Sequence, residues 1–128
     1  MKLGYTILYV ENVSATVEFY QKAFGLNLLF IHESLTYAEM DTGTTKLAFA
    51  SFELAKMHGF ELSHLTDKKI SHPFELAFVT DDVVAAYETA LKNGASALKV
   101  PEEKPWGQIV GYVKDCNDYL VELCSPIH

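Results

Sequence analysis

The chain has 128 residues, 49% of them hydrophobic, and a formal charge of −7; a chain of this length buries roughly two-thirds of the surface exposed by its unfolded form, so folding requires neither metal nor disulfide. The composition excludes disorder, and the acidic balance argues against a nucleic-acid partner. No segment reaches the roughly 18 apolar residues of a membrane helix, and no basic-then-apolar leader opens the chain, so the expected location is the cytoplasm with no membrane contact.

The first strand pattern starts at Tyr5 and runs into Glu11-Asn12. Beyond it Val13, Val17, Tyr20 and Phe24 share one helical face, while Glu18, Gln21 and Lys22 fall outside it. Asn12 suits the N-cap and Gly25 the left-handed stop. Strands are predicted over Leu28 to His32, Leu35 to Met40 and Lys46 to Phe52, with Asp41-Thr42-Gly43-Thr44 as a hairpin turn. Glu53 to Phe74 reads as a linker carrying one short helix at Leu54 to His58.

At a constant offset of 70 the first pattern returns: ELAFVTDDVVAAY from Glu75 mirrors YTILYVENVSATV from Tyr5. Val83, Tyr87 and Leu91 repeat the apolar face, Glu88 and Lys92 form a polar pair, Asp82 is the cap and Gly94 the stop. Strands follow at Ala97 to Val100, Ile109 to Lys114 and Tyr119 to Cys124, with the turn Asp115-Cys116-Asn117-Asp118. Each half is βαβββ. The expected fold class is α+β: one domain over 1–128 built from two tandem modules, about 1–52 and 75–128, joined by 53–74. Their curved mixed sheet carries the helices outside and encloses a cleft, the usual place for a small ligand. Cys116 and Cys124 lack metal or redox spacing and read as reduced thiols.

Two stretches carry a family resemblance: VENVSATVEFYQKAFGL (Val10 to Leu26) and PWGQIVGYVKDCNDYLVELCSP (Pro105 to Pro126). They resemble the strand-to-helix entry and the PWG…DPDG…EL ending of the vicinal oxygen chelate superfamily, which holds glyoxalase I, extradiol dioxygenases and the fosfomycin- and bleomycin-resistance proteins. The DPDG turn reads Asp115-Cys116-Asn117-Asp118 here. Enzymes of that family hold a divalent metal at four positions, which the resemblance places at Tyr5, Ala48, Glu75 and Glu122. Alanine cannot bind a metal, and Tyr5 and Glu75 stand where histidine or glutamine is expected. Only Glu122 matches directly.

The resemblance therefore implies a binding protein of the bleomycin-resistance type, with no cofactor, that sequesters a planar or cationic small molecule as antibiotic-resistance proteins of this kind do. The alternative is a glyoxalase-like lyase or a dioxygenase that uses zinc, nickel, iron or manganese, with Glu122 as ligand, Glu75 as ligand or general base, and Tyr5 completing the set. An interaction module without a ligand is a third reading. The expected ligand-binding residues are Tyr5, Ile7 and Tyr9 as an aromatic wall, Glu75 and Glu122 as an acidic floor, and Trp106, Gln108 and Tyr112 entering from the last hairpin. Gln108 and Tyr112 share a strand face. Trp106, the single tryptophan, either stacks on a planar ligand at the cavity mouth or plugs the core. If Glu75 and Glu122 face one cleft without a metal, repulsion and desolvation raise the pKa of one. His32, His58, His64 and the terminal His128 read as solvated, and His72 alone is expected near the cleft. The resemblance also implies a homodimer.

Overall fold

In module one, strand β1 (Tyr5–Val10) runs parallel to β4 (Lys46–Ser51), with β3 (Tyr37–Asp41) and β2 (Asn27–Ile31) antiparallel beyond it, giving the order β1-β4-β3-β2. This computed structural model describes residues 1–67 and 69–127, so His128 lies outside the described residues. Two units divide the chain, Met1–His64 and Leu65–His128. The boundary falls inside the segment read as a linker.

Helix α1 (Val13–Phe24) makes the parallel pairing possible, because it carries the chain back across the sheet. Asn12 Oδ1 accepts from the Ala15 amide at 2.9 Å. Gly25 takes φ 68°, and the Gly25 and Leu26 amides return to the carbonyls of Gln21 and Tyr20. The buried stripe is wider than the four residues expected: Thr16, Phe19 and Ala23 join Val13, Val17 and Tyr20. Tyr20 is fully buried, with its ring 4.8 Å from that of Phe49 on β4. Burial of a side chain this large contributes roughly 2–3 kcal/mol. Ser51 caps the short helix α2 (Phe52–Met57), its hydroxyl accepting from the Leu54 amide.

Module two repeats the topology. Strand β5 (Glu75–Val79) lies parallel to β8 (Leu120–Cys124), followed by β7 (Ile109–Lys114) and β6 (Ser96–Glu103), in the order β5-β8-β7-β6. Helix α3 (Val83–Lys92) is capped by Asp82 through the Ala85 amide and packs on β6, β7 and β8. Val113, Val121 and Leu123 are buried beneath it. The α+β class and the tandem βαβββ organisation are as expected, as two four-stranded mixed sheets. No described helix is long and apolar enough to cross a membrane.

Most strand and helix boundaries shift by one or two residues from the sequence reading, and two of the differences have a clear physical cause. Leu35 does not open β3; it has φ 61°, and its amide closes a turn onto the His32 carbonyl at 2.9 Å. Strand β6 extends to Glu103, through Pro101, because it is the sheet edge and shifts register twice. An edge strand tolerates a proline that a central strand would not.

Candidate functional site

Each sheet has one face under its helix and one face open. On the open face of module two the register sets Lys99, Tyr112, Glu122 and Ala77 in a row across β6, β7, β8 and β5. Glu75 stands two residues along β5 from Ala77, diagonal to Glu122. The Tyr112 hydroxyl donates to Glu122 Oε1 at 3.0 Å. The structure therefore brings together three residues expected of the site: Glu75, Tyr112 and Glu122.

Their electrostatics follow from that geometry. Burial, then a hydrogen bond with Glu122, then the like charge on Glu122 push the Glu75 carboxyl above its ordinary value. Two carboxyl groups hydrogen-bond each other only when one keeps its proton. The Tyr112 phenol is pushed up to about 12, first by burial and then by its bond to Glu122. Cys124, buried on the same face, has its thiol pushed up to about 11 by burial and by Glu122. It is therefore no thiolate nucleophile at neutral pH.

Trp106 and Gln108 sit in the turn between β6 and β7. The Gly107 amide reaches the Lys104 carbonyl and the Lys104 amide the Gln108 carbonyl, each at 2.8 Å, with Gly107 at φ 90°. Pro105 supplies the turn's second position and Gly107 its left-handed one. Trp106 is 65% exposed, which removes the core-plug alternative. Gln108 accepts from the indole Nε1 at 2.9 Å and donates to the Ser125 carbonyl at 2.9 Å. It therefore clamps the turn to the chain beyond β8, a role that sequence reasoning missed because its partner is 17 residues away. His72 lies edge-on to Tyr119, ring centroids 4.7 Å apart, in the approach to β5.

Tyr5, Ile7 and Tyr9 share the open face of module one with Lys46, Ala48 and Ala50 of β4. Glu39 is the cross-strand partner of Ala48. It accepts from the Tyr37 hydroxyl at 2.9 Å and lies 3.7 Å from Lys46 Nζ, while Lys46 stands 5.6 Å from the Tyr5 ring centre. The Tyr37 phenol is pushed up to about 12 by burial and by Glu39. Sequence reasoning did not find Glu39. The repeat could have pointed to it, because Glu39 pairs with Ala48 as Tyr112 pairs with Glu122.

The donors do not fit the divalent metal of the family's enzymes. Ala48 is fully buried and offers nothing, Glu39 beside it already has a phenol and an ammonium, and Glu122 is held by Tyr112. Among the described residues, no group of three His, Cys, Asp or Glu side chains could hold a metal ion.

Two hollows lie beside these elements. One of about 540 Å³ in module one is walled by Phe52, Lys56, Phe60 and Leu62 among others, and contains none of the expected site residues. The other, about 270 Å³ in module two, is walled by Lys99, Val100, Glu102, Lys104, Val110 and Tyr112.

Comparison with known proteins follows the same lines. The family described as Glyoxalase/Bleomycin resistance protein/Dioxygenase superfamily matches residues 2–123. A Bacillus subtilis (strain 168) protein, Uncharacterized protein YraH, is 30% identical over 125 residues, 96% of this chain and 97% of that one. Among solved structures, a glyoxalase-related enzyme from Fulvimarina pelagi superposes with a TM-score of 0.83 at 18% identity, covering 98% of this chain and 88% of that one. A glyoxalase/bleomycin resistance protein/dioxygenase family enzyme from Burkholderia phytofirmans PsJN gives 0.77 at 20% identity, with 98% of both chains covered. TioX from Micromonospora sp. ML1 gives 0.73 at 18% identity, again with 98% of both covered. At such identities the solved structures speak for the fold alone.

Proposed function

The chain belongs to the Glyoxalase/Bleomycin resistance protein/Dioxygenase superfamily, and from that premise we propose that it is a small-molecule binding protein, working without a metal, that takes a planar or cationic compound on the open face of module two. The observation that carries this reading is the Glu75–Glu122 pair. Burial and the like charge of Glu122 both disfavour the ionised form of Glu75, and a ligand cation would relieve that repulsion. Module one offers no such opening, since Lys46 already stands beside Glu39. Tyr112 beside the pair and the exposed Trp106 indole supply flat surfaces for a planar ligand. By family resemblance the binding form is a cytoplasmic homodimer, for which light scattering should give twice the 14.3 kDa chain mass.

The test combines two measurements on protein purified without chelator or affinity metal. Elemental analysis should find no stoichiometric divalent metal. A panel of aromatic amines and amidines should raise the melting temperature, and Glu122→Gln should remove that rise. A stoichiometric metal whose removal abolishes a measurable turnover would replace this reading with the lyase or dioxygenase one. A panel that never shifts the melting temperature would leave an interaction module instead.

A further inference from the structure

The open face of module two is electrically lopsided, and the groove beside Tyr112 is where the sign changes. Its 270 Å³ is walled by two lysines and one glutamate together with Val100, Val110 and the Tyr112 ring. Lys104 Nζ is held by Glu102 at 2.6 Å. Lys99 is the weaker of the two cations acting on Glu102, so the ion pair of Glu102 is with Lys104 and not with Lys99. Lys99 is the cross-strand partner of Tyr112, which in turn pairs with Glu122. The same row thus runs from an ammonium through a phenol to the carboxyl pair. Lys114 lies on this face too, at the far end of β7 and aligned through Leu120 with Glu75.

Adjacent strands stand about 4.8 Å apart, so the backbone positions of Lys99 and Glu122, two strands from each other, lie roughly 10 Å apart. The groove is smaller than the roughly 300–1,000 Å³ of a complete small-molecule site, and fits one end of a ligand rather than the whole. Resting on the reading above, we propose that the ligand is a zwitterion: its cationic end meets Glu75 and Glu122, its flat middle lies on Tyr112, and its anionic end, a carboxylate or similar acid, enters the groove at Lys99. Val100 and Val110 form the apolar walls that partly shield that ion pair from water.

The test uses three rigid biphenyls and calorimetry: 4′-(aminomethyl)biphenyl-4-carboxylate, its methyl ester, which is a cation only, and 4′-methylbiphenyl-4-carboxylate, which is an anion only. The zwitterion should bind about fivefold more tightly than the ester, the scale of one largely exposed ion pair. Lys99→Met should bring the zwitterion down to the affinity of the ester, and added salt should narrow the gap in the wild type. Equal affinity of zwitterion and ester would overturn this inference while leaving the cation-binding reading intact. Binding by the anion alone, or by none of the three, would overturn both.

Discussion

Tyr112 and Glu122 are directly paired residues on neighbouring antiparallel strands, and the phenol of one donates to the carboxylate of the other at 3.0 Å. The bond lies on the open sheet face, where it fixes the orientation of the Glu122 carboxylate. Tyr112→Phe deletes the donor and leaves the ring, so thermal or urea unfolding should show a loss of about 1 kcal/mol. Glu122→Gln should lower the Tyr112 phenol only part of the way toward 10, because burial is the larger cause of its shift. Phenolate absorbance of Glu122→Gln, with Tyr112→Phe as the blank, measures that pKa.

The Glu75 pair predicts a pH dependence of definite sign. A carboxyl whose folded pKa is raised binds more protons folded than unfolded, so its contribution to stability falls as pH rises from 4.5 through the folded value. Glu75→Gln should therefore be more stable than the wild type above that window and gain nothing below pH 4.5. Melting temperatures of the two proteins from pH 3.5 to 8 check it. A wild-type curve that parallels the variant throughout would mean that neither burial nor Glu122 raises the Glu75 carboxyl.

Leu35 is a bulky residue at φ 61° and is 54% exposed. It carries the steric cost of the left-handed region with little burial to offset it. Leu35→Gly should stabilise the protein by about 0.5–1 kcal/mol, while Leu35→Ala, which keeps its Cβ, should change little. Chemical denaturation of the three proteins distinguishes the backbone effect from a loss of packing.

Gly111 allows β6 to approach β7 closely. A Cβ there would stand 3.0 Å from Pro101 Cγ and 3.3 Å from Pro101 Cα, the second a backbone atom that cannot swing aside. Gly111→Ala should cost about 1–3 kcal/mol. Adding Pro101→Ala should recover part of that loss by removing Cγ and Cδ. Additive losses in the double variant would show that the two residues do not crowd each other.

Where local chemistry carried the signal, structure and sequence agree. Asn12 and Asp82 cap their helices through side-chain oxygens, Gly25 ends α1, and the offset of 70 places β5 and α3 where β1 and α1 predict. Where the outcome depends on a distant partner they part. Glu39 reads as an ordinary strand glutamate until β4 places Lys46 beside it. The bond from the Gln108 amide to the Ser125 carbonyl could not be read from the sequence, because its partner lies 17 residues away. Leu35 carries strand propensity, and the turn onto His32 overrides it.

The sequence by itself determined the duplicated βαβββ units, their caps and their apolar helix faces, because period, cap and turn chemistry act between residues a few positions apart. Tertiary structure alone decided which carboxylates are brought together and which lysines stand beside them. Those outcomes depend on cross-strand register, and register brings together side chains that no spacing along the chain connects.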